Sequence, residues 1–381
     1  MPNTPFNIKN ILKISQKQIN ESTASSHSQD LIYLLKIAIR GDGNPIHMYD
    51  SAGALPNLLD DVTDPEQIAY VKDEKNLFFS DKRYWKPLLK HVAAPAFQGT
   101  KYGFAMGGGP IANDVVEKYS FSSDNNGVNV GSLSTAANHL AGHSDTTNED
   151  GYVSGGAGTD AIQKFSFTSS NSATTAGSLT EPKGRVAGAS DVINAAGYTM
   201  GGQNAVTRVE KFNFASSTSG AAWGGLTSGC EFGAGSSDTT GSKGYVNYGT
   251  RLEQFSFASN ANATTVGGLP SPVTQAAGNS SLTHGYVSGG LSPLGSDNVY
   301  KYAFSNSPVE ISDIGNLSIN RLLSSGTGAS SKQHGYVAGG NTSPSGGLTA
   351  STEKYSFQSG LTGISVANLT ASKHGSAGAQ H

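Results

Sequence analysis

From residue 102 onward the apolar positions of this chain fall in short alternating runs broken by glycine, whereas the front of the chain carries a helical spacing. The alternating part repeats. A run Gly103-Phe104-Ala105-Met106-Gly107-Gly108 returns, with Tyr for Phe, at Gly151, Gly197, Gly244, Gly285 and Gly335, at intervals of 48, 46, 47, 41 and 50 residues. Each run is followed by an aromatic-x-aromatic strand: Tyr119 and Phe121, Phe165 and Phe167, Phe212 and Phe214, Phe255 and Phe257, Tyr302 and Phe304, Tyr355 and Phe357. Side chains two apart on a strand share a face, so both rings of each pair point the same way and can pack between neighbouring repeats. Burial of such a pair, at roughly 25 cal/mol per Å² of apolar surface, makes these rings the expected core.

A repeat of this length, made of short strands, predicts a β-propeller with one four-stranded blade per repeat. Six copies predict six blades. The order within a repeat is a strand of small residues, the glycine-pair strand, the aromatic strand, and a short strand marked by Val130 and Leu133, Ala176 and Leu179, Trp223 and Leu226, Val266 and Leu269, Ile314 and Leu317, and Val366 and Leu369. The paired glycines permit positive φ and close approach of a neighbouring blade. No small-residue strand precedes Gly103, and the chain finishes on Ser372-Lys373-His374-Gly375-Ser376-Ala377-Gly378-Ala379, which resembles that strand alone. The last stretch is therefore expected to complete the first blade and leave no free edge.

Gly-Tyr-x-x-Gly-Gly, an aromatic strand, a hydrophobic position three residues before Leu, and then Arg185 or Arg321 in two of the copies together resemble the kelch motif. The Trp usual in that motif is kept only at Trp223. The resemblance implies the fold and leaves function open, because propellers carry many unrelated activities.

The front of the chain reads differently. Ser28 to Arg40 is predicted helical through Leu31, Leu34, Leu35 and Ala38, with Gly41-Asp42-Gly43 as the stop. Ile32 and Ile39 lie off that stripe, so the helix is apolar on more than one side and calls for partners. Leu31, Ile32, Leu34, Leu35 and Ile39 are the candidate assembly anchor. Ile68-Ala69-Tyr70-Val71, Leu77-Phe78-Phe79 and Tyr84-Trp85-Lys86-Pro87-Leu88, separated by charged turns, predict a small β-meander. The expected organisation is a helical attachment segment over 1–48, a meander module over 49–92, a linker over 93–101, and a six-bladed propeller over 102–381. The fold class is mainly β: a kelch-like propeller behind a small helix-plus-meander attachment region.

Composition narrows the functional classes. Charged residues are 14% of the chain against 49 glycines in 381 residues, and the net charge is −3. No basic run is long enough to follow a series of phosphates, which argues against nucleic-acid binding. No stretch approaches the ~20 apolar residues of a membrane span, and residues 1–40 lack the layout of a secretory signal. One cysteine, Cys230, excludes an internal disulfide and a cysteine metal cluster.

Catalytic chemistry finds little support in the pattern. A kelch-type copper oxidase would need a crosslinked Tyr-Cys pair with two histidines and a second tyrosine, whereas Cys230 stands where other repeats place small residues. His139, His143, His284, His334 and His374 invite a metal reading, yet they read as exposed turn histidines spread around a ring. Glu117, Glu210, Glu253 and Glu353 recur just before the aromatic strand and read as strand pairs or blade-edge charges. Asp124-Asn125-Asn126-Gly127 and the run Asp145 to Asp150 read as hairpin turns rather than calcium loops. No catalytic residue, cofactor or metal ligand is assigned.

The helical leader, the meander ending in Tyr-Trp-Lys-Pro-Leu, the Phe97-Gln98-Gly99 linker and the low-charge blades together resemble virion structural proteins of tailed bacteriophages, particularly those infecting marine cyanobacteria. The resemblance implies a non-enzymatic particle component, made in the host cytoplasm and placed in the tail, baseplate or fibres. It would be anchored to other virion proteins by its front region, present in several copies, and would offer its propeller to a host surface protein or glycan. The alternative is a free-standing propeller that binds glycan or protein.

Overall fold

The computed structural model describes residues 97–381, apart from 170–171, 216, 241, 293–294, 306–307, 323–327, 343–345 and 359–361, together with four short strands nearer the front. The chain divides into two compact units, Met1–Val92 and Ala93–His381. In the first unit Ile68–Val71, Asn76–Ser80 and Trp85–Pro87 form an antiparallel meander, and His47–Tyr49 adds to it parallel to Ile68–Val71. The helix expected over Ser28–Arg40, with Leu31, Ile32, Leu34, Leu35 and Ile39, lies outside the described residues.

The second unit is a six-bladed β-propeller. Blade 1 runs, from axis to rim, through Ala377–Gln380, Tyr102–Met106, Asn113–Ser120 and Val128–Ala137, so the end of the chain supplies its innermost strand. Blade 2 uses Ala141–Asp145, Asp150–Ser154, Ala161–Ser166 and Thr174–Ser178; blade 3 uses Ala187–Asp191, Ala196–Met200, Arg208–Asn213 and Ala221–Gly225. Blade 4 uses Ala234–Asp238, one long strand Lys243–Ser256 that serves as both middle strands, and Thr264–Val273. Blade 5 uses Ala277–Ser280, His284–Ser288, Asn298–Ala303 and Ile311–Asn316; blade 6 uses Gly328–Ser330, His334–Ala338, Ser351–Ser356 and Ile364–Asn368. The order of strands within each repeat is the one read from the sequence.

Two rings hold the axis. Each inner strand carries one glycine at the axis, and a Cβ on Gly142, Gly188, Gly235, Gly278, Gly328 or Gly378 would come within 3.0 Å of the carbonyl oxygen of the next glycine around the ring. Only glycine lets six strands approach this closely. Two residues further along, each inner strand donates its backbone N–H to a side chain of the next blade: Ser144 to Ser190 Oγ (3.1 Å), Ser190 to Ser237 (2.9 Å), Ser237 to Ser280 (2.9 Å), Ser280 to Ser330 (3.0 Å), Ser330 to Gln380 Oε1 (3.3 Å) and Gln380 back to Ser144 (3.0 Å). The ring thus closes through the last strand.

Between blades the aromatic expectation is met. The aromatic residue of each glycine-pair strand lies against the second ring of the next blade: Phe104 on Phe167 (4.8 Å), Tyr152 on Phe214 (4.8 Å), Tyr198 on Phe257 (4.6 Å), Tyr245 on Phe304 (5.0 Å), Tyr286 on Phe357 (4.4 Å) and Tyr336 on Phe121 (4.5 Å). Tyr119, Phe165, Phe212, Phe255, Tyr302 and Tyr355 are buried beside them. Phe121 is half-buried. The leading glycine of each glycine-pair strand faces the first of these rings across the blade, where a Cβ would collide with it.

The glutamates differ from the sequence expectation. Glu117, Glu210, Glu253 and Glu353 are fully buried, not at blade edges. The cause is a β-bulge. In all six blades the register between third and fourth strands shifts at this position, and the unpaired residue is the hydrophobic one that marked the fourth strand, Val130, Ala176, Trp223, Val266, Ile314 or Val366. A bulge bends the strand and re-aims its side chains. The carboxylates consequently turn toward the preceding blade, where Glu210 accepts from Thr180 N (2.9 Å), Thr180 Oγ1 (2.8 Å) and Lys183 Nζ (2.5 Å).

Glu353 is held likewise by Ser318 N and Arg321, and Glu117 by Thr370 N and Lys373. The basic partner therefore stands four residues after Leu, at Lys183, Arg321 and Lys373. Arg185, which the motif resemblance matched to Arg321, lies two residues beyond that position and pairs elsewhere. Burial presses the ammonium of Lys183 and the guanidinium of Arg321 below their ordinary values, and their carboxylate partners oppose that drift.

The other three junctions alter the set. Gln163 replaces Glu and exchanges hydrogen bonds with Ser134 Oγ and the backbone of Thr135, with Ala137 at the basic position. Tyr300 replaces Glu where Val273 is the basic-position residue, and Pro270 there carries no N–H to be satisfied. In blade 4 Cys230 takes the place of the cation, and Tyr248 donates its hydroxyl to Glu253 instead. Tyr248 stands where other repeats have the first paired glycine. That departure also removes the loop and merges the two middle strands into Lys243–Ser256.

Candidate functional site

The axis itself is shut. Leu140 and Val186, both 0% exposed, close it where the fourth strands cross to the next blade, and Phe97 closes the opposite end. Residues 97–101, read as linker from the sequence, are tied across that end: Phe97 O accepts from Gln380 Nε2 (2.8 Å), Gln98 Nε2 donates to Ser280 O (3.0 Å), and Gly99 N donates to Ser330 O (2.8 Å). A cavity of about 30 Å³ remains on the axis. That admits a water or two, whereas small-molecule sites span roughly 300–1,000 Å³. Among the described residues the axis therefore has no cavity of that size.

On the crossover face five of the blades place one equivalent residue each, two positions before the inner strand, around the mouth of the axis. These are His139, Arg185, Phe232, Gln275 and Gly375; the corresponding stretch of blade 6 lies outside the described residues. The described five have left-handed backbones, with φ of 59°, 61°, 55°, 58° and 65°. Their amides form a chain: His139 N to Gly375 O (2.7 Å), Arg185 N to His139 O (2.9 Å), Phe232 N to Arg185 O (2.9 Å) and Gln275 N to Phe232 O (3.1 Å). Glycine suits this conformation, and an L side chain there costs roughly 1–2 kcal/mol. Four side chains of different chemistry are nonetheless kept where the scaffold around them is constant.

These side chains touch. The Arg185 guanidinium lies over the Phe232 ring at 5.0 Å and bonds Glu231 through Nη1 at 2.9 Å. His139 meets Phe232 edge-on at 5.4 Å and lies 5.6 Å from the ring of His374. All are half-buried. Burial of Glu231 opposes its ionisation, but the bonds from Arg185 and from the backbone of Ala205 and Asn204 outweigh it and hold the carboxyl below the usual range. Burial, with a smaller contribution from His139, lowers His374, so its imidazole is neutral at pH 7.

The histidines read as exposed turns have separate fates. His143 lies in the inner strand of blade 2 and is 1% exposed. Its ring nitrogens engage Ala189 O (3.1 Å) and Ser154 Oγ (2.8 Å), and burial pushes its pKa down to about 4. His284 and His334 begin the glycine-pair strands of blades 5 and 6, away from the mouth. His139 and His374 alone of the five come together. Among the described residues there is no group of three or more His, Cys, Asp or Glu placed to hold a metal.

Both acidic turns are hairpins. Asp145 accepts from Asn148 N (3.2 Å) and Nδ2 (2.8 Å), while Asp124 takes Lys354 Nζ (2.6 Å) and so ties blade 1 to blade 6. Cys230 is fully buried, and burial pushes its thiol up, which makes it inert. The described residues include no helix, and so none long and apolar enough to cross a membrane.

Of the mouth residues, His139 and Arg185 were singled out in the sequence for other reasons, while Phe232 and Gln275 were not. A signal was present: the position two before each inner strand varies freely inside an otherwise constant repeat.

No family model matches the chain, nor does any curated protein sequence. Among solved structures, one titled "Structure of YjhT" superposes with a TM-score of 0.51, covering 64% of this chain and 88% of that one at 13% identity. At that identity the likeness is one of fold.

Proposed function

We propose that this chain is a binding and assembly component without a catalytic centre, whose propeller recognises its partner at the crossover-face mouth. The observation that carries this reading is the ring of left-handed, chemically distinct side chains around a sealed axis. A β-propeller suits interaction, and side chains retained against backbone preference point to recognition. An aromatic face flanked by Arg185, Glu231 and Gln275 suits a protein or glycan surface.

The setting we propose is the virion of a tailed bacteriophage, in the tail, baseplate or fibres. The support is the sequence pattern of a short leader, a meander and low-charge blades. Residues 1–92 would anchor the protein to other virion proteins, with Leu31, Ile32, Leu34, Leu35 and Ile39 as the apolar contact, and several copies would be present. Light scattering on the full chain and on the 97–381 fragment, with mass spectrometry of purified particles, tests this. The full chain is expected to oligomerise or to occur in particles, and the fragment to be a folded monomer. Two monomers, with neither found in a particle, would leave the free-standing glycan- or protein-binding propeller as the reading.

A further inference from the structure

We infer that the mouth holds a divalent transition-metal ion between His139 and His374, with the amide oxygen of Asn138 as a third ligand. His139 lies on the crossover from blade 1 to blade 2 and His374 on the crossover from blade 6 to blade 1, so the ion would bridge the two ends of the closed ring. Three observations converge on it.

The first is spacing. Two imidazoles on one tetrahedral ion, each with its nitrogen about 2.0–2.1 Å from the metal, place their ring centroids about 5.2 Å apart. The rings of His139 and His374 are 5.6 Å apart and inclined at 50°. The centroid separation is within about half an ångström of that requirement.

The second is unmet bonding capacity. His374 Nδ1 and Asn138 Oδ1 are both buried and have no hydrogen-bond partner. Such atoms are rare in folded proteins and call for an unseen partner. A Cβ on Gly109 would lie 3.2 Å from Asn138 Nδ2, and the backbone of Gly109 is paired with that of His374, so the Asn138 amide group and His374 belong to one neighbourhood.

The third is the local backbone. His139 keeps a left-handed φ of 59° at a position where Gly375 serves in the adjacent blade. Gly375 in turn leaves the space that the His139 ring uses, since a Cβ there would lie 2.8 Å from His139 Nδ1. Two nitrogens and one oxygen suit Zn²⁺, Ni²⁺, Co²⁺ or Cu²⁺ rather than Ca²⁺ or Mg²⁺. A fourth position is left for water or for a group on a partner.

Zn²⁺ added to the chelator-treated full-length protein tests the site, followed by isothermal titration and thermal melting. His139→Gly is the informative variant because its backbone already favours glycine and folding should not suffer. Wild type is expected to take up one more equivalent of Zn²⁺ than His139→Gly or His374→Ala. Affinity at this site should fall at least about a hundredfold in either variant, since even outer-shell partners are worth roughly 10–100-fold. At a hundredfold excess of Zn²⁺ over Kd, wild type should melt about 5 °C higher, a rise absent from both variants. Stoichiometry and melting indistinguishable from wild type in both variants would overturn the site. Loss in only one of the two would overturn the bridge.

Discussion

Removal of residues 372–381 is expected to abolish cooperative folding of the propeller, not merely to weaken it. Ala377–Gln380 is the innermost strand of blade 1, paired along Gly103–Met106. Its loss cuts the axial ring twice, at Ser330 to Gln380 and at Gln380 to Ser144. It also removes the carbonyl of His381, which accepts from the amides of Thr100, Lys101 and Tyr102, and the Phe97 tether from Gln380. Lys373 goes with it, leaving the buried Glu117 carboxylate without its cation. Uncompensated buried charge alone costs about 3–5 kcal/mol, a large part of the 5–15 kcal/mol that typically holds a domain folded. Urea denaturation followed by circular dichroism should show a broad transition with a reduced slope, since less surface would be buried to begin with. A transition matching that of the intact chain would contradict closure by the last strand.

The second large effect concerns the blade 5 to blade 6 junction. Glu353→Ala should destabilise the protein by about 3–5 kcal/mol, because Arg321 would stay buried with its counter-charge gone. Arg321 is 0% exposed and also donates to Gly339 O (2.7 Å) and Ser351 O (2.9 Å), so it has no path to water. The repeats themselves offer the compensation. At the blade 4 to blade 5 junction Val273, Tyr300 and Pro270 stand where Arg321, Glu353 and Ser318 stand here. The triple change Arg321→Val, Glu353→Tyr, Ser318→Pro removes the cation, the anion and the N–H that needs an acceptor. Replacing a complete buried ion pair by packed apolar groups is often neutral, so the triple variant should lie within about 2 kcal/mol of wild type. Equal losses for single and triple variants in urea melts would mean that the junctions are not interchangeable sets.

The blades, their strand order, the aromatic pairs and the closing strand were legible because each follows from a local period. The burial of Glu353 was not, because Glu-Lys on a strand looks like an exposed pair. Its inward turn depends on a bulge in the facing strand and on a cation one repeat earlier. The motif match of Arg185 to Arg321 failed for a related reason: counted from the preceding leucine, Lys183 is the true equivalent, and only the buried carboxylate identifies it. His143 looked like a turn residue but sits where other inner strands place Ala189, Ser236 or Asn279, a polar choice made affordable by Ser154 and Ala189 O. The mouth residues carry no motif of their own. They become a group only when the ring closes and sets blade 6 beside blade 1.

Amide hydrogen exchange on the full-length protein tests the closed six-bladed ring most directly. The amides of Ser144, Ser190, Ser237, Ser280, Ser330 and Gln380 form one hydrogen-bonded circle. They are expected to exchange together and among the slowest in the protein, at the rate set by global unfolding. Fast exchange at Ser330 and Gln380, with protection kept at the other four, would mean that the last strand is not bonded into the ring and that the account is wrong.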